Sequence, residues 1–170
     1  MWSHSSLSCQ FKVHVYIACI IQKLLYGLES AWINSAGKRK LDGFHAKCLR
    51  RILGVAPAFV SRISNAFVLK ELSAYPLSAI LLERQLLYFG RVARLKEDSV
   101  LRQALFVEKF TLHEPKLKRG RPRDTWGRKM LQHVSKIIGD NIYWQALIAD
   151  PTKWRAKVRS YCRHESFDHP

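Results

Sequence analysis

From about Gln10 to Ser30, Phe11, Val15, Ala18, Ile21, Leu25 and Leu28 recur at intervals of three and four, the spacing of one helix face. Ile17, Ile20 and Leu24 widen that stripe, which predicts a helix buried on more than one side. Gly27 and the polar stretch Asn34–Gly37 mark its end and the next turn. Lys38–Leu53 is the cleanest amphipathic helix. Leu41, Phe44, Cys48, Leu49, Ile52 and Leu53 share one face, Lys40, Lys47, Arg50 and Arg51 take the rest, and Gly54 stands where a helix stops. Pro57–Ser64 reads as a loop, after which Ser64 or Asn65 caps a short helix to about Leu72. Pro76 suits the first turn of a helix running to about Leu95, on which Arg84, Arg91 and Arg94 form a basic ridge. Asp98 or Ser99 then opens a short helix to about Val107.

Glu108–Arg123 has no periodicity, two prolines and a basic run, and reads as an extended linker. Asp124 or Thr125 caps a helix to about Ile138 with Trp126, Met130, His133, Val134 and Ile137 on one face. Gly139-Asp140-Asn141 is a stop and restart, Ile142–Ala149 a short helix, and Asp150-Pro151 the opening of a last helix to about Tyr161. No segment alternates β-branched with polar residues. The expected fold is therefore all-α, an array of about six to seven helices. The expected organisation is a disordered start at 1–9, a larger helical part at 10–107, a basic linker at 108–123, a small helical unit at 124–162 and a tail at 163–170.

Charge adds a partner to this picture. Apolar residues make up 48% of the 170, enough for a core, while 29 Lys and Arg against 13 Asp and Glu leave a net charge of +16. Such an excess favours polyanions, because each cation set against a phosphate releases condensed counterions. The four cysteines form no Cys-x-x-Cys pair and lack zinc-finger spacing, so reduced thiols and no bound metal are expected. The apolar run Val15–Ile21 is too short to cross a membrane and lacks the flanks of a signal peptide. A nuclear or cytoplasmic protein with no membrane partner is expected.

No catalytic constellation stands out, and no cofactor is expected. The carboxylates are scattered, and the one adjacent pair, Glu97-Asp98, falls at a helix boundary where capping accounts for it. There is no nucleophile elbow, metalloprotease motif or phosphate-cradling glycine loop. His45 and Cys48 lie three apart on a helix, but the apolar neighbours of Cys48 place it in the core.

The densest charge is Lys116–Arg123, which holds Arg119-Gly120-Arg121-Pro122. That tetrapeptide resembles an AT-hook core. Its glycine clears a groove floor, its proline keeps the backbone extended, and its arginines suit a narrow minor groove. A phosphate grip without sequence preference, a nuclear-import signal and a plain solvated linker are the competing readings. Trp126, Trp144 and Trp154 lie beside basic residues, where base stacking competes with core packing, the reading we prefer.

Four blocks in register resemble the thumb and post-thumb region of a non-LTR (LINE-type) retrotransposon reverse transcriptase. They are Leu25-Tyr26-Gly27-Leu28-Glu29-Ser30-Ala31-Trp32, then Phe44 to Gly54 around Cys48-Leu49-Arg50, then Arg84 to Arg94 around Gly90, and Gly120-Arg121-Pro122-Arg123-Asp124-Thr125-Trp126. The resemblance as a whole spans roughly residues 15–160. The chain departs from that family's pattern by one extra residue before Trp32 and by Arg91 where histidine is usual. The resemblance implies a segment that helps hold a template–primer duplex. It also implies that the catalytic palm with its paired aspartates would precede residue 1, so the chain alone is expected to be non-catalytic, with that palm as a further partner.

The expected function is thus nucleic-acid binding, to RNA, DNA or a hybrid. The expected contacts are Lys47, Arg50, Arg51, Arg84, Arg91, Arg94, Lys116, Lys118, Arg119, Arg121 and Arg123. The alternatives are an AT-hook-like minor-groove binder and a decayed reading frame without selected function.

Overall fold

The computed structural model describes residues 6–108, 110–112, 125–139 and 144–165. Among them the protein is all-α, with one small hairpin. The first helix comprises α1 (Cys9–Tyr16), a π-helical stretch (Ile17–Ile21) and α2 (Gln22–Leu24). Ser8 caps it by accepting the Phe11 N–H at 3.3 Å, so order begins inside the segment expected to be a disordered start. Next come α3 (Ser35–Leu53), α4 (Ala58–Ser61), α5 (Asn65–Glu71), α6 (Leu77–Ala93) and α7 (Val100–Leu105). The strands β1 (Phe106–Glu108) and β2 (Thr111–Leu112) follow, then α8 (Trp126–Ile138), α9 (Trp144–Ala149) and α10 (Pro151–Glu165).

Helix ends follow capping chemistry. Asn34 Oδ1 accepts the Gly37 N–H at 2.7 Å to start α3. Gly54 ends it with a left-handed φ of 73°, and Val55 N donates back to the Arg50 carbonyl at 3.0 Å. Ser64 Oγ caps α5 through Phe67 N, and Thr125 Oγ1 caps α8 through Arg128 N. Asp150 accepts from Thr152 N and Lys153 N, and these bonds, ahead of the Lys153 charge, hold its carboxyl below the usual range. Ser99 precedes α7 but makes no side-chain cap bond.

Three local expectations are corrected. Pro57–Ser64 contains the helical turn α4 rather than being wholly a loop. Phe106–Glu108 and Thr111–Leu112 pair antiparallel, with Phe106 opposite Leu112 and Glu108 opposite Thr111, where the sequence suggested a helix end and a linker. Strands of two or three residues are too short to display a period, and these are anchored by the buried Phe106, which meets Phe89 of α6 edge to face at 5.8 Å. The helix at 9–24 is buried on one side only: Val13, Tyr16 and Ile21 face the core while Phe11 and Ile20 stay exposed.

The chain forms two compact units. The first covers Met1–Leu28, Ile33–Leu81 and Arg163–Pro170, and the second covers Glu29–Trp32 and Leu82–Cys162. The first has a core of Val13, Tyr16, Ile21, Leu25, Leu49, Ile52, Val68, Leu72, Leu77 and Leu81. The second packs Leu82, Leu86, Phe89 and Ala93 of α6 with Phe106, Met130, Val134, Ile148, Trp154, Val158 and Cys162. In the second unit Trp154 lies on Gly90, and its indole N–H donates to the Leu86 carbonyl at 3.1 Å. The helices of 82–105 and of 126–162 thus share one core, across the boundary that sequence placed at the linker.

Candidate nucleic-acid interface

In the first unit the C-terminal half of α3 supplies the candidate surface. Lys47 and Arg51, one helical turn apart, are both exposed. Arg50 is not on that surface. It is 5% exposed and donates to the Ile63 carbonyl at 2.6 Å, to Asn65 Oδ1 at 2.9 Å and to Ser61 Oγ at 3.4 Å. The expected phosphate contact is corrected to an internal strut, because three acceptors beneath the helix satisfy the guanidinium away from water. Asp42, the acid of α3, accepts the Ser78 N–H at 2.8 Å and so serves the start of α6.

Tyr16 and His45 form a stacked pair beside Cys48, with Tyr16 Oη and His45 Nδ1 3.0 Å apart. Burial raises the Tyr16 pKa, with Cys48 adding to the effect. Burial likewise lowers His45 below its ordinary value, against weaker opposing effects of the Tyr75 backbone and Asp42. Both groups are therefore held neutral, as core residues. An open pocket of about 350 Å³ is lined by Leu24, Leu28, Ile33, Gly37, Lys40, Leu41 and Phe44, and Lys40 is its one charged group.

In the second unit Arg91 on α6 and Arg94 in the turn just after it are exposed, while Arg84 is half-buried and 3.8 Å from Glu29. The Arg94 guanidinium donates to the Ile148 carbonyl at 3.0 Å. Burial, then the neighbouring Arg155, lower its pKa. That proximity identifies a basic surface absent from the sequence-derived contacts. Lys153, Arg155, Lys157 and Arg159 are exposed on α10, and no acid lies between Thr152 and His164. Arg159 pairs with Glu83 at 3.1 Å and Lys153 with Asp150 at 3.6 Å. Among the described residues Arg155 and Lys157 have no carboxylate partner. The signal available in sequence was the acid-free run on a helix whose apolar positions, Trp154, Val158 and Cys162, turn the cations outward.

Trp126, Trp144 and Trp154 belong to the core, whereas Trp32 is exposed. Trp126 meets Tyr88 at 5.9 Å and Phe89 at 6.0 Å, Trp144 meets Phe110 at 5.0 Å, and Trp154 is buried. Lys116, Lys118, Arg119, Arg121 and Arg123 lie outside the described residues. Among the described residues no three His, Cys, Asp or Glu side chains are grouped to hold a metal ion, and no helix is long and apolar enough to cross a membrane.

Fold and surface together define an all-α chain whose exposed helix faces carry arginine and lysine. No family model, curated protein or solved structure matches the chain.

Proposed function

We propose that the chain binds nucleic acid through its phosphate backbone, as a non-catalytic segment resembling the thumb and post-thumb of a non-LTR reverse transcriptase. The observation that supports this most is the set of exposed cations on or just after ordered helices, Lys47 and Arg51 on α3, Arg91 on α6 with Arg94 in the turn after it, and Arg155 and Lys157 on α10. Helical cations bear on phosphates with little ordering cost, because their backbones are already held. The sequence block Lys116–Arg123 adds charge to the same end. Backbone contacts position a duplex or strand without reading its bases, so binding is expected to tolerate sequence.

The test is a titration with labelled duplex and single-stranded oligonucleotides over a range of salt. The logarithm of affinity is expected to fall linearly with the logarithm of salt, with a slope of about −0.9 per neutralised duplex phosphate. Joint replacement of Arg119, Arg121 and Arg123 by alanine is expected to lower the affinity for A·T-rich and G·C-rich duplexes alike. Loss confined to A·T-rich duplex would instead assign the Arg-Gly-Arg-Pro stretch to a minor-groove hook, and salt-independent affinity would overturn the phosphate grip.

A further inference from the structure

The α4–α5 hairpin of the first unit turns large apolar side chains into solvent. Phe59 is 81% exposed, Val60 60% and Phe67 52%. This is an ordered presentation. The buried Arg50 guanidinium gathers Ser61 at the end of α4 with Ile63 and Asn65 at the start of α5. Ser61 Oγ also donates to the Pro57 carbonyl at 3.2 Å and accepts the Ile63 N–H at 3.4 Å. Arg62, between the two helices, holds a left-handed φ of 58°, a conformation that a non-glycine residue keeps only where its surroundings impose it. Phe59 stands two residues before Ser61 and Phe67 two after Asn65, so both flank the same clamp.

The sequence around these apolar side chains is mostly cationic. From Gly43 to Lys70 the chain has no Asp or Glu, Lys47, Arg51, Arg62 and Lys70 are exposed, and the exposed Glu71, one turn after Phe67 on α5, closes the stretch. Exposed large apolar groups on a fixed backbone mark a partner site, and four exposed cations against the single acid Glu71 favour an anionic partner. An unpaired strand of nucleic acid offers both a flat apolar face on each base and a phosphate beside it, the combination that aromatic and basic side chains bind together. We propose that Phe59 is a stacking platform for an unpaired base and that Arg62 holds the adjoining phosphate. This rests on the nucleic-acid reading above and adds to it a preference for single-stranded segments.

The test titrates the full chain with labelled oligothymidylate and with a blunt duplex of equal length at one salt concentration. Phe59→Ala is expected to weaken oligothymidylate binding about five- to a hundredfold, leaving duplex binding, the salt slope and the melting temperature unchanged. Phe59→Trp should keep the affinity, whereas Phe59→Leu, which keeps apolar bulk without a π face, should lose it. Arg62→Asn, whose side chain tolerates a left-handed backbone, should shrink the single-strand salt slope by about 0.7. If the wild type binds neither oligonucleotide, the nucleic-acid reading fails and the platform with it. If the wild type binds and Phe59→Ala binds equally well, the platform alone is overturned. Equal oligonucleotide binding with loss of a concentration-dependent self-association in Phe59→Ala would reassign the patch to contacts between copies of the chain.

Discussion

At the scale of single residues, burial decides whether an arginine is structural or available. Arg50 and Arg51 are adjacent in sequence, yet the first is enclosed by carbonyl, amide and hydroxyl oxygens and the second faces water. Arg50→Ala is expected to destabilise the protein by about 2–3 kcal/mol, since it strands the Ile63 carbonyl and removes charge-assisted bonds. Arg51→Ala should change stability by no more than about 0.5 kcal/mol and instead reduce the salt slope of binding. Urea unfolding measured on both variants, beside the oligonucleotide titration, checks the contrast. Arg102 follows the rule of Arg50: buried, it donates to the Ala93 and Leu95 carbonyls at the end of α6 and lies 4.9 Å from the Phe110 ring centre. His45 carries a pH dependence of known sign. Its folded pKa lies below the ordinary 6.5, so the folded state binds fewer protons than the unfolded chain. Stability from the neutral ring is complete above that value and is lost as pH falls from it toward the folded pKa. Urea midpoints should therefore fall on acidification through this window, and His45→Gln should flatten the decline.

At the scale of elements, apolar periodicity located the long helices because each buries one stripe. α3, α5 and α8 begin one residue after Asn34, Ser64 and Thr125, whose side chains accept first-turn backbone N–H groups, and α6 begins one residue after Pro76, with Asp42 Oδ1 accepting the Ser78 N–H. The short elements were not legible in this way. A hairpin with strands of three and two residues and a single turn of helix hold too few repeats of their own pattern to be recognised by it, so tertiary neighbours determine them. Gly90 illustrates a constraint that no periodicity displays. It sits mid-helix, where glycine is unfavourable, and a Cβ there would overlap the Trp154 indole. Gly90→Ala is expected to cost about 1–3 kcal/mol through overpacking, despite the better helix propensity of alanine. A lowered melting temperature together with a shifted Trp154 fluorescence signal would show it, and an unchanged melting temperature would contradict the tight crossing. Thr125→Ala, which removes only the cap of α8, should cost about 1 kcal/mol.

At the scale of the whole molecule, the charge of +16 is a property of sequence that acts on both stability and binding. Like charges repel across the folded surface, and salt screens them. In the absence of nucleic acid the melting temperature is expected to rise from about 0.01 M to about 0.15 M salt, over which the screening length falls from about 30 to 8 Å. Nucleic-acid affinity should fall over the same range, and calorimetry and titration in one buffer series read both trends. The helical class, the placement of long helices and the net positive charge were all written in the order of residues, because periodicity, capping and net charge are local or additive. Which arginines face solvent, which aromatic rings are buried, and which helices share a core depended on contacts between residues far apart in the chain. Trp154 on Gly90 and Arg50 beneath Ile63 exist only once distant segments meet. No local pattern announces such contacts, because the spacing that sets one helix face says nothing about what that face will meet.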